Sequence, residues 1–180
     1  MNIYDYSIQD ADGNGIPLKN YKGKVLLIVN TATACGFTPH YKELEQMYEK
    51  YHDNGLEIID VPCNQFGEQA PGTDAEIHAF CTIRYKTKFP QMKKSDVNGT
   101  NELPLYAYLK SQKQFEGFGD GKTAQMLDDF IKKINPDYKN TSDIKWNFTK
   151  FVIARDGTVI ARFEPTAPMS DVAACIARCM

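Results

Sequence analysis

The sequence lacks the features that mark membrane, nucleic-acid-binding and disordered proteins. No stretch of its 180 residues approaches the roughly 20 consecutive apolar residues that a membrane helix needs. The formal net charge is only −2, and no basic run offers a footprint for a polyanion. Apolar residues make up 42 % and charged residues 24 %, which is typical of globular proteins. We therefore expect a single domain over residues 1–180, with no membrane span and no nucleic-acid partner.

Signals for export and for permanent disulfides are also missing. Residues 1–5, MNIYD, contain neither the basic region nor the apolar region of a secretory signal, so we expect a cytoplasmic protein. The cysteines are odd in number and include no Cys-x-x-Cys pair, which indicates at least one reactive thiol. They are Cys35, Cys63, Cys81, Cys175 and Cys179. A zinc site that uses His40 and His78 is a less favoured alternative, because structural zinc ligands usually come in close pairs on turns.

The order of strand and helix patterns predicts an α/β fold. Alternation at residues 4–8 before a turn at 12–15 indicates a hairpin, and the apolar runs 25–29 and 56–61 indicate buried strands. Further strands are predicted at 151–154 and 158–163, and helices at about 39–51, 73–81, from 104, 123–134 and 170–179. This order predicts a central mixed sheet with helices on both faces.

One cysteine lies where a thiolate is favoured. Cys35 follows the strand at 25–29, and Thr38 with Pro39 reads as an N-cap and first position of the next helix. The unpaired N–H groups at a helix start and its macrodipole stabilise negative charge, which favours a thiolate. On position alone, a buried structural cysteine in a tight turn fits equally well.

Three separated segments resemble the signature blocks of the glutathione peroxidase family. They are residues 30–38 (NTATACGFT), 62–69 (PCNQFGEQ) and 146–151 (WNFTKF), and their order and approximate spacing agree with that family. The hairpin at 155–157 and the segment 162–166 (RFEPT) are similar too, so the resemblance covers nearly the whole chain. It implies a thioredoxin-like fold and the thiol-dependent reduction of hydroperoxides.

The resemblance also implies a set of site residues. Cys35 matches the peroxidatic position, and Gln69, Trp146 and Asn147 complete the family's tetrad. An amide or indole N–H can steady a thiolate and a leaving alkoxide without being a competing nucleophile. Each of the three also has an ordinary structural interpretation, as a loop, core or turn residue. No bound cofactor or metal is implied; the reductant, thioredoxin or glutathione, is a co-substrate.

A second cysteine matches the family's resolving position. Cys81 lies in residues 80–86 (FCTIRYK) and would condense with the Cys35 sulfenic acid to a disulfide, which thioredoxin would reduce. A disulfide needs Cα atoms within about 7 Å, so we predict local unwinding around residues 78–88 on oxidation. The alternative is that Cys81 is an ordinary buried helix residue.

Other features bear on the reductant and the assembly. No Lys or Arg lies between Cys35 and Lys42, which weakens the case for glutathione. Cys63 is interpreted as structural, and Cys175 and Cys179 share one helix face. The stripe of Leu127, Phe130, Ile131 and Ile134 is expected to cover the protein's own core, and monomer and homodimer both remain open.

Rival functions differ in the sulfur chemistry they need. A disulfide oxidoreductase needs a Cys-x-x-Cys pair, which Cys35 and Thr38 do not provide, and the Pro-x-x-x-Thr-x-x-Cys pattern of peroxiredoxins is absent from residues 28–35. A peroxide sensor that passes its oxidation to a partner shares the first step with an enzyme, so it stays as the alternative. Several relatives use selenocysteine at the position of Cys35, and the sequence leaves the native residue open.

Overall fold

A computed structural model describes all 180 residues and has a four-stranded mixed sheet at its centre. A small antiparallel hairpin, β1 (Ser7–Gln9) and β2 (Gly15–Pro17), precedes this sheet. The sheet strands are β3 (Val25–Thr31), β4 (Leu56–Pro62), β5 (Lys150–Ile153) and β6 (Val159–Phe163), in the order β4-β3-β5-β6. β3 runs parallel to β4 and antiparallel to β5, so β3 lies in the interior of the sheet.

Five helices flank the sheet. They are α1 (His40–Tyr51), α2 (Asp74–Tyr85), α3 (Pro104–Gln112), α4 (Lys122–Ile134) and α5 (Met169–Cys179). α1 packs against β4, and α5 packs against both β5 and α1. Every residue of β3, β4 and β5 is buried, which explains why their sequences are apolar runs without alternation. The prediction of a mixed central sheet flanked by helices is confirmed.

The predicted start of the first helix was wrong. α1 begins at His40 with Pro39 as its N-cap, and Thr38 caps nothing. The Thr38 hydroxyl instead accepts the N–H of Cys35 at 3.0 Å and donates to the Ala32 carbonyl at 2.9 Å. Both bonds of the hydroxyl go to the preceding turn, so the hydroxyl is not available to cap the first N–H groups of α1.

The buried apolar residues form one contiguous core that contains four of the five cysteines. Only Cys179 is partly exposed, and no two cysteines are bonded. None of the helices has both the length and the apolar character required to cross a membrane.

The apolar stripe of α4 divides between core and surface. Leu127 and Ile131 are buried, as predicted, but Phe130 is 46 % and Ile134 66 % exposed, so the prediction was wrong for those two. Residues 127 and 131 lie one turn apart on the row that faces the core, whereas 126, 130 and 134 form the neighbouring row. The helix therefore presents a second apolar row outward.

Candidate active site

Cys35 lies in a tight turn between β3 and α1. Its sulfur accepts the backbone N–H of Phe37 at 3.4 Å, and its own N–H is held by Thr38. The Thr38 N–H in turn donates to the Cys35 carbonyl at 3.0 Å. The residue is 8 % exposed, so solvent and small substrates reach only its edge. A sulfur that faces a backbone donor at the start of a helical segment suits an anionic nucleophile.

Gln69 is brought beside this turn by backbone hydrogen bonds. The N–H groups of Thr33 and Ala34 donate to the Gln69 carbonyl at 3.1 and 2.9 Å. The loop bends sharply just before it, where Gly67 has φ +67° in the left-handed region. A Cβ at Gly67 would lie 3.3 Å from Gln69 Nε2 and 3.3 Å from the Trp146 ring, so both side chains approach this glycine closely. The lack of a side chain at Gly67 therefore allows the amide and the indole to lie this close to its backbone.

Asn147 fixes the orientation of Gln69. Its Nδ2 donates to Gln69 Oε1 at 3.0 Å and, with longer geometry, to the Phe66 carbonyl at 3.4 Å. Because the oxygen of the Gln69 amide is occupied, its N–H groups are left to donate elsewhere in the site. Asn147 itself is fully buried.

The segment that carries Trp146 and Asn147 is tied to β3. The Asn30 side chain donates to the Trp146 carbonyl at 3.1 Å, and the Phe148 N–H donates to the Asn30 carbonyl at 2.6 Å. Phe148 has φ +67°, a conformation that is strained for an aromatic residue and that occurs mainly at functional sites. The structure thus brings Cys35, Gln69, Trp146 and Asn147 into one region, although they span more than a hundred residues of sequence.

A cleft of about 330 Å³ adjoins Trp146 and is lined by Gly67, the indole and Ile134 of α4. Phe130 packs edge-to-face on the indole with ring centroids 5.2 Å apart, and the centroid of the Phe66 ring lies 6.1 Å from that of the indole. The contact of Phe130 with Trp146 was missed by sequence reasoning, since nothing in the sequence pairs these positions.

A larger cleft lies elsewhere and carries none of the four residues. It measures about 540 Å³ and is formed by the 113–120 loop, β6 and the start of α5. Its Arg162 is already occupied by Glu164 and by backbone carbonyls, for example that of Ser142 at 2.6 Å. Of the four site residues, only Trp146 lines the smaller cleft, so we place the chemistry at the Cys35 turn and the Gln69–Asn147 pair beside that cleft.

Cys81 is not bonded to Cys35. It lies on α2, 1 % exposed, and burial together with the charge of Asp60 raises the pKa of its thiol to about 12. Its neighbour Tyr41 donates to Asp60 Oδ2 at 2.9 Å, and the Thr31 hydroxyl donates to the other oxygen of that carboxyl. Burial raises the pKa of Asp60 to about 6. Cys81 therefore lies in a buried polar cluster with Thr31, Tyr41 and Asp60, where its raised pKa keeps the thiol protonated.

The remaining cysteines have structural surroundings. Burial raises the pKa of Cys63 to about 11, and its sulfur lies 3.5 Å from Gln65 Oε1. The Cys179 thiol donates to the Cys175 carbonyl, one turn earlier in α5, at 3.1 Å. No three His, Cys, Asp or Glu side chains converge in an arrangement that could hold a metal ion.

Sequence reasoning also missed two basic groups beneath the Cys35 turn. Lys150 is fully buried, and its Nζ lies 2.7 Å from the Phe148 carbonyl and 3.1 Å from His40 Nδ1. Burial, reinforced by the Lys150 charge, lowers the pKa of His40 to about 3, so this imidazole is neutral at ordinary pH. Lys150 stands in the WNFTKF segment, which is the signal that could have drawn attention to it.

Comparisons with known proteins agree with this site. The family model described as "Glutathione peroxidase" matches residues 3–110. A glutathione peroxidase homolog of Neisseria meningitidis is 48 % identical over 178 residues, 98 % of each chain. A glutathione peroxidase-like peroxiredoxin of Schizosaccharomyces pombe is 46 % identical, over 90 % of this chain and 88 % of its own. The crystal structure of T. cruzi GPX1 has TM-score 0.72 and 32 % identity, covering 99 % of this chain and 96 % of that one.

More distant structures share the fold alone. A thiol:disulfide interchange protein of the thioredoxin family from Chlorobium tepidum has TM-score 0.58 at 14 % identity, covering 97 % of this chain and 92 % of that one. A thioredoxin-like fold with one cysteine in the turn after an inner strand, and with a glutamine bonded through its carbonyl to that turn, fits the class of thiol-dependent peroxidases. The extent of the family match makes the assignment specific. The chain belongs to the glutathione peroxidase family, as its sequence motifs predicted.

Proposed function

We propose that the protein reduces hydrogen peroxide and organic hydroperoxides through a sulfenic acid at Cys35, which is recycled through a Cys35–Cys81 disulfide. The observation that carries the proposal is the position of Gln69. Its backbone carbonyl is bonded to the Cys35 turn, and its side-chain oxygen is bonded to Asn147. With that oxygen occupied, the N–H groups of the Gln69 amide are free to donate to the peroxide oxygen that gains negative charge. The tetrad roles follow from it.

In the first step, the Cys35 thiolate attacks the terminal oxygen of the peroxide. The S–O bond forms as the O–O bond breaks, and the leaving alkoxide takes up a proton to become an alcohol, or water from hydrogen peroxide. Gln69 and the Trp146 indole are the donors that steady the departing oxygen, and Asn147 keeps Gln69 in its orientation. The Phe37 N–H stabilises the sulfur anion beforehand.

In the second step, the Cys81 thiol attacks the sulfenic sulfur, releases water and forms the disulfide. For this step α2 has to unwind locally around residues 78–88, because Cys81 is buried against Tyr41 and Asp60. Only Ile77 and Cys81 of α2 are buried, which supports a low cost of local opening. The high pKa of the buried Cys81 keeps it a thiol until it is released.

Thioredoxin is the reductant that we favour over glutathione. The first Lys or Arg after Cys35 is Lys42, and the imidazole of His40 is neutral, so the turn itself offers no cation for the carboxylates of a tripeptide. A dithiol protein needs only access to the disulfide. A reducing, cytoplasmic location would suit this cycle, because thiols stay unpaired there. Such a cycle would serve to remove peroxides.

The test is peroxide turnover measured in parallel with thioredoxin plus its reductase and with glutathione. We expect Cys35→Ser to lose all activity and Cys81→Ser to lose thioredoxin-linked turnover only. Cys63→Ser is the matched control, since Cys63 is a buried cysteine without a proposed role, and it should retain activity. Thioredoxin-linked turnover that survives in Cys81→Ser would overturn the resolving role. Consumption of a single peroxide equivalent per chain would instead identify a sensor that passes its oxidation to a partner.

A further inference from the structure

Lys150 is a buried lysine that forms no ion pair with a carboxylate. Its side chain is fully buried on β5, and the two groups bonded to Nζ, the Phe148 carbonyl and His40 Nδ1, are both neutral. A buried lysine is costly unless another charge compensates it, and such groups cluster at functional sites. The nearby carboxylate of Glu164 is bound to Arg162 and Thr149 instead.

Its two partners connect Lys150 to the proposed nucleophile. The backbone N–H of His40 donates to the Phe37 carbonyl at 2.9 Å, and the side-chain rings of these two residues pack with centroids 5.5 Å apart. Phe37 supplies the N–H that Cys35 Sγ accepts. On the other side, Phe148 follows Asn147 directly, and its strained backbone is held through the carbonyl that Lys150 binds.

The charges that act on Lys150 come from three sides. Burial lowers the pKa of Lys150 to about 7, and the negative charges of Glu164 after β6, Glu43 on α1 and ionised Cys35 oppose this. His40, which bonds to it from α1, is neutral. Glu164 is paired with Arg162, and Glu43 forms neither a hydrogen bond nor an ion pair with Lys150. The Cys35 thiolate is therefore one of two charges, with that of Glu43, that remain for Lys150 to balance, and it is the one at the site.

We propose that Lys150 is a positioning residue of the peroxidase site, whose ammonium balances the Cys35 thiolate and holds the Phe148 carbonyl, with neutral His40 orienting it. This inference rests on the proposed role of Cys35 as the nucleophile. It assigns the last lysine of the WNFTKF segment a function in the reaction. The side chain acts through charge and does not touch the peroxide.

The first test is the rate at which Cys35 reacts with iodoacetamide as a function of pH, measured by mass spectrometry at that residue. We expect Lys150→Met to slow the reaction about tenfold near neutral pH, with a difference that vanishes at high pH, where the thiol ionises unaided. Lys145→Met is the matched control, because Lys145 is a buried lysine bonded only to Thr141, and it should follow the parent. An unchanged rate, or the same loss at every pH, overturns the proposal.

A second test leaves Lys150 in place, so it stands even if the methionine variant fails to fold. Carbon-13 NMR of labelled lysine follows the titration of Lys150 in the parent and in Cys35→Ser. Linkage is reciprocal, so removal of the thiolate should lower the titration midpoint of Lys150 by about half a pH unit or more. An unchanged midpoint overturns the proposal. Neither test uses peroxide, so a failure here is distinguishable from a failure of the proposed peroxidase cycle, which turnover of Cys35→Ser reports.

Discussion

At the residue scale, the site depends on one side-chain hydrogen bond. Asn147 Nδ2 holds the oxygen of the Gln69 amide at 3.0 Å, and no other side chain bonds to that amide. Without the bond, the Gln69 amide is free to rotate and its N–H groups lose their direction. The role of Asn147 is therefore to preorganise a donor, which is where most of the rate gain from such groups arises.

We predict that Asn147→Ala slows oxidation of Cys35 by hydrogen peroxide about 100-fold, the usual effect of losing one preorganised donor. The rate is measured by stopped-flow mixing of reduced protein with peroxide. Asn140→Ala, at an exposed asparagine outside the site, is the control and should react as the parent does. A rate for Asn147→Ala within about twofold of the parent would contradict the role.

The four site residues could be predicted from sequence because short motifs carry them. Phe130 and His40 could not, since their contacts with Trp146 and Lys150 join helices to the WNFTKF segment across long stretches of chain. A local pattern gives the periodicity of a helix, and it does not say which row of side chains meets a given indole or ammonium. Such contacts are set by tertiary packing.

At the element scale, α2 is the least anchored helix near the site. It buries only Ile77 and Cys81, while Ile83 is 71 % exposed. Its first turn is secured by a capping box, in which Thr73 Oγ1 accepts the Glu76 N–H at 3.2 Å and Glu76 accepts the Thr73 N–H at 2.8 Å. Local opening of α2 is therefore controlled by its cap as much as by its packing.

We predict that Thr73→Ala destabilises α2 by about 1 kcal/mol and so speeds formation of the Cys35–Cys81 disulfide about fivefold. The reaction is quenched at intervals after one equivalent of peroxide and analysed by peptide mapping. Ser170→Ala, in the first turn of α5 where no side chain caps the helix, is the control and should leave the rate unchanged. A slower or unchanged rate in Thr73→Ala would mean that opening of α2 does not limit the step.

Helix boundaries show where local sequence rules stop. Thr73 was predicted to open its helix, and it is the N-cap in the structure. Thr38 has the same cap chemistry but is engaged by Cys35 and Ala32, so the next helix starts later. The same residue type therefore had two outcomes, decided by whether a tertiary partner took its hydroxyl.

At the scale of the whole molecule, two buried titratable groups give stability opposite dependences on pH. The pKa of Asp60 is raised to about 6 by burial, so the folded state binds more protons than the unfolded state between about pH 4 and 6. Its contribution is complete at low pH and is lost as pH rises through about 6. The pKa of His40 is lowered to about 3 by burial, so its contribution grows as pH rises from about 3 to 6.5.

Asp60→Asn removes the Asp60 contribution, so we predict that the difference between parent and variant reports it. The free energy of unfolding of the parent, relative to this variant, should fall by on the order of 2 kcal/mol as pH rises from about 4 to 7. Urea titrations at several pH values measure it, with exposed Asp53→Asn as the control that should parallel the parent. A constant difference between parent and Asp60→Asn across that range would show that the pKa of Asp60 is not raised in the folded state.

The whole fold was more predictable than its details because the buried strands are unmistakable runs and the family motifs span the chain. The motifs also predicted that residues 35, 69 and 146–147 lie close together, which hydrophobic periodicity does not reveal. The buried cluster around Cys81 and the Lys150–His40 contact had no such guide. Both depend on the tertiary packing that buries these particular polar side chains together.

Cys35 alone is expected to receive the peroxide oxygen. Fully reduced protein is mixed with one equivalent of hydrogen peroxide in the presence of dimedone, and every cysteine is read by mass spectrometry. The account predicts a dimedone adduct at Cys35 or a Cys35–Cys81 disulfide within seconds, with Cys63, Cys175 and Cys179 still reduced. Primary oxidation at one of those three, or a rate no faster than that of free cysteine, would contradict it.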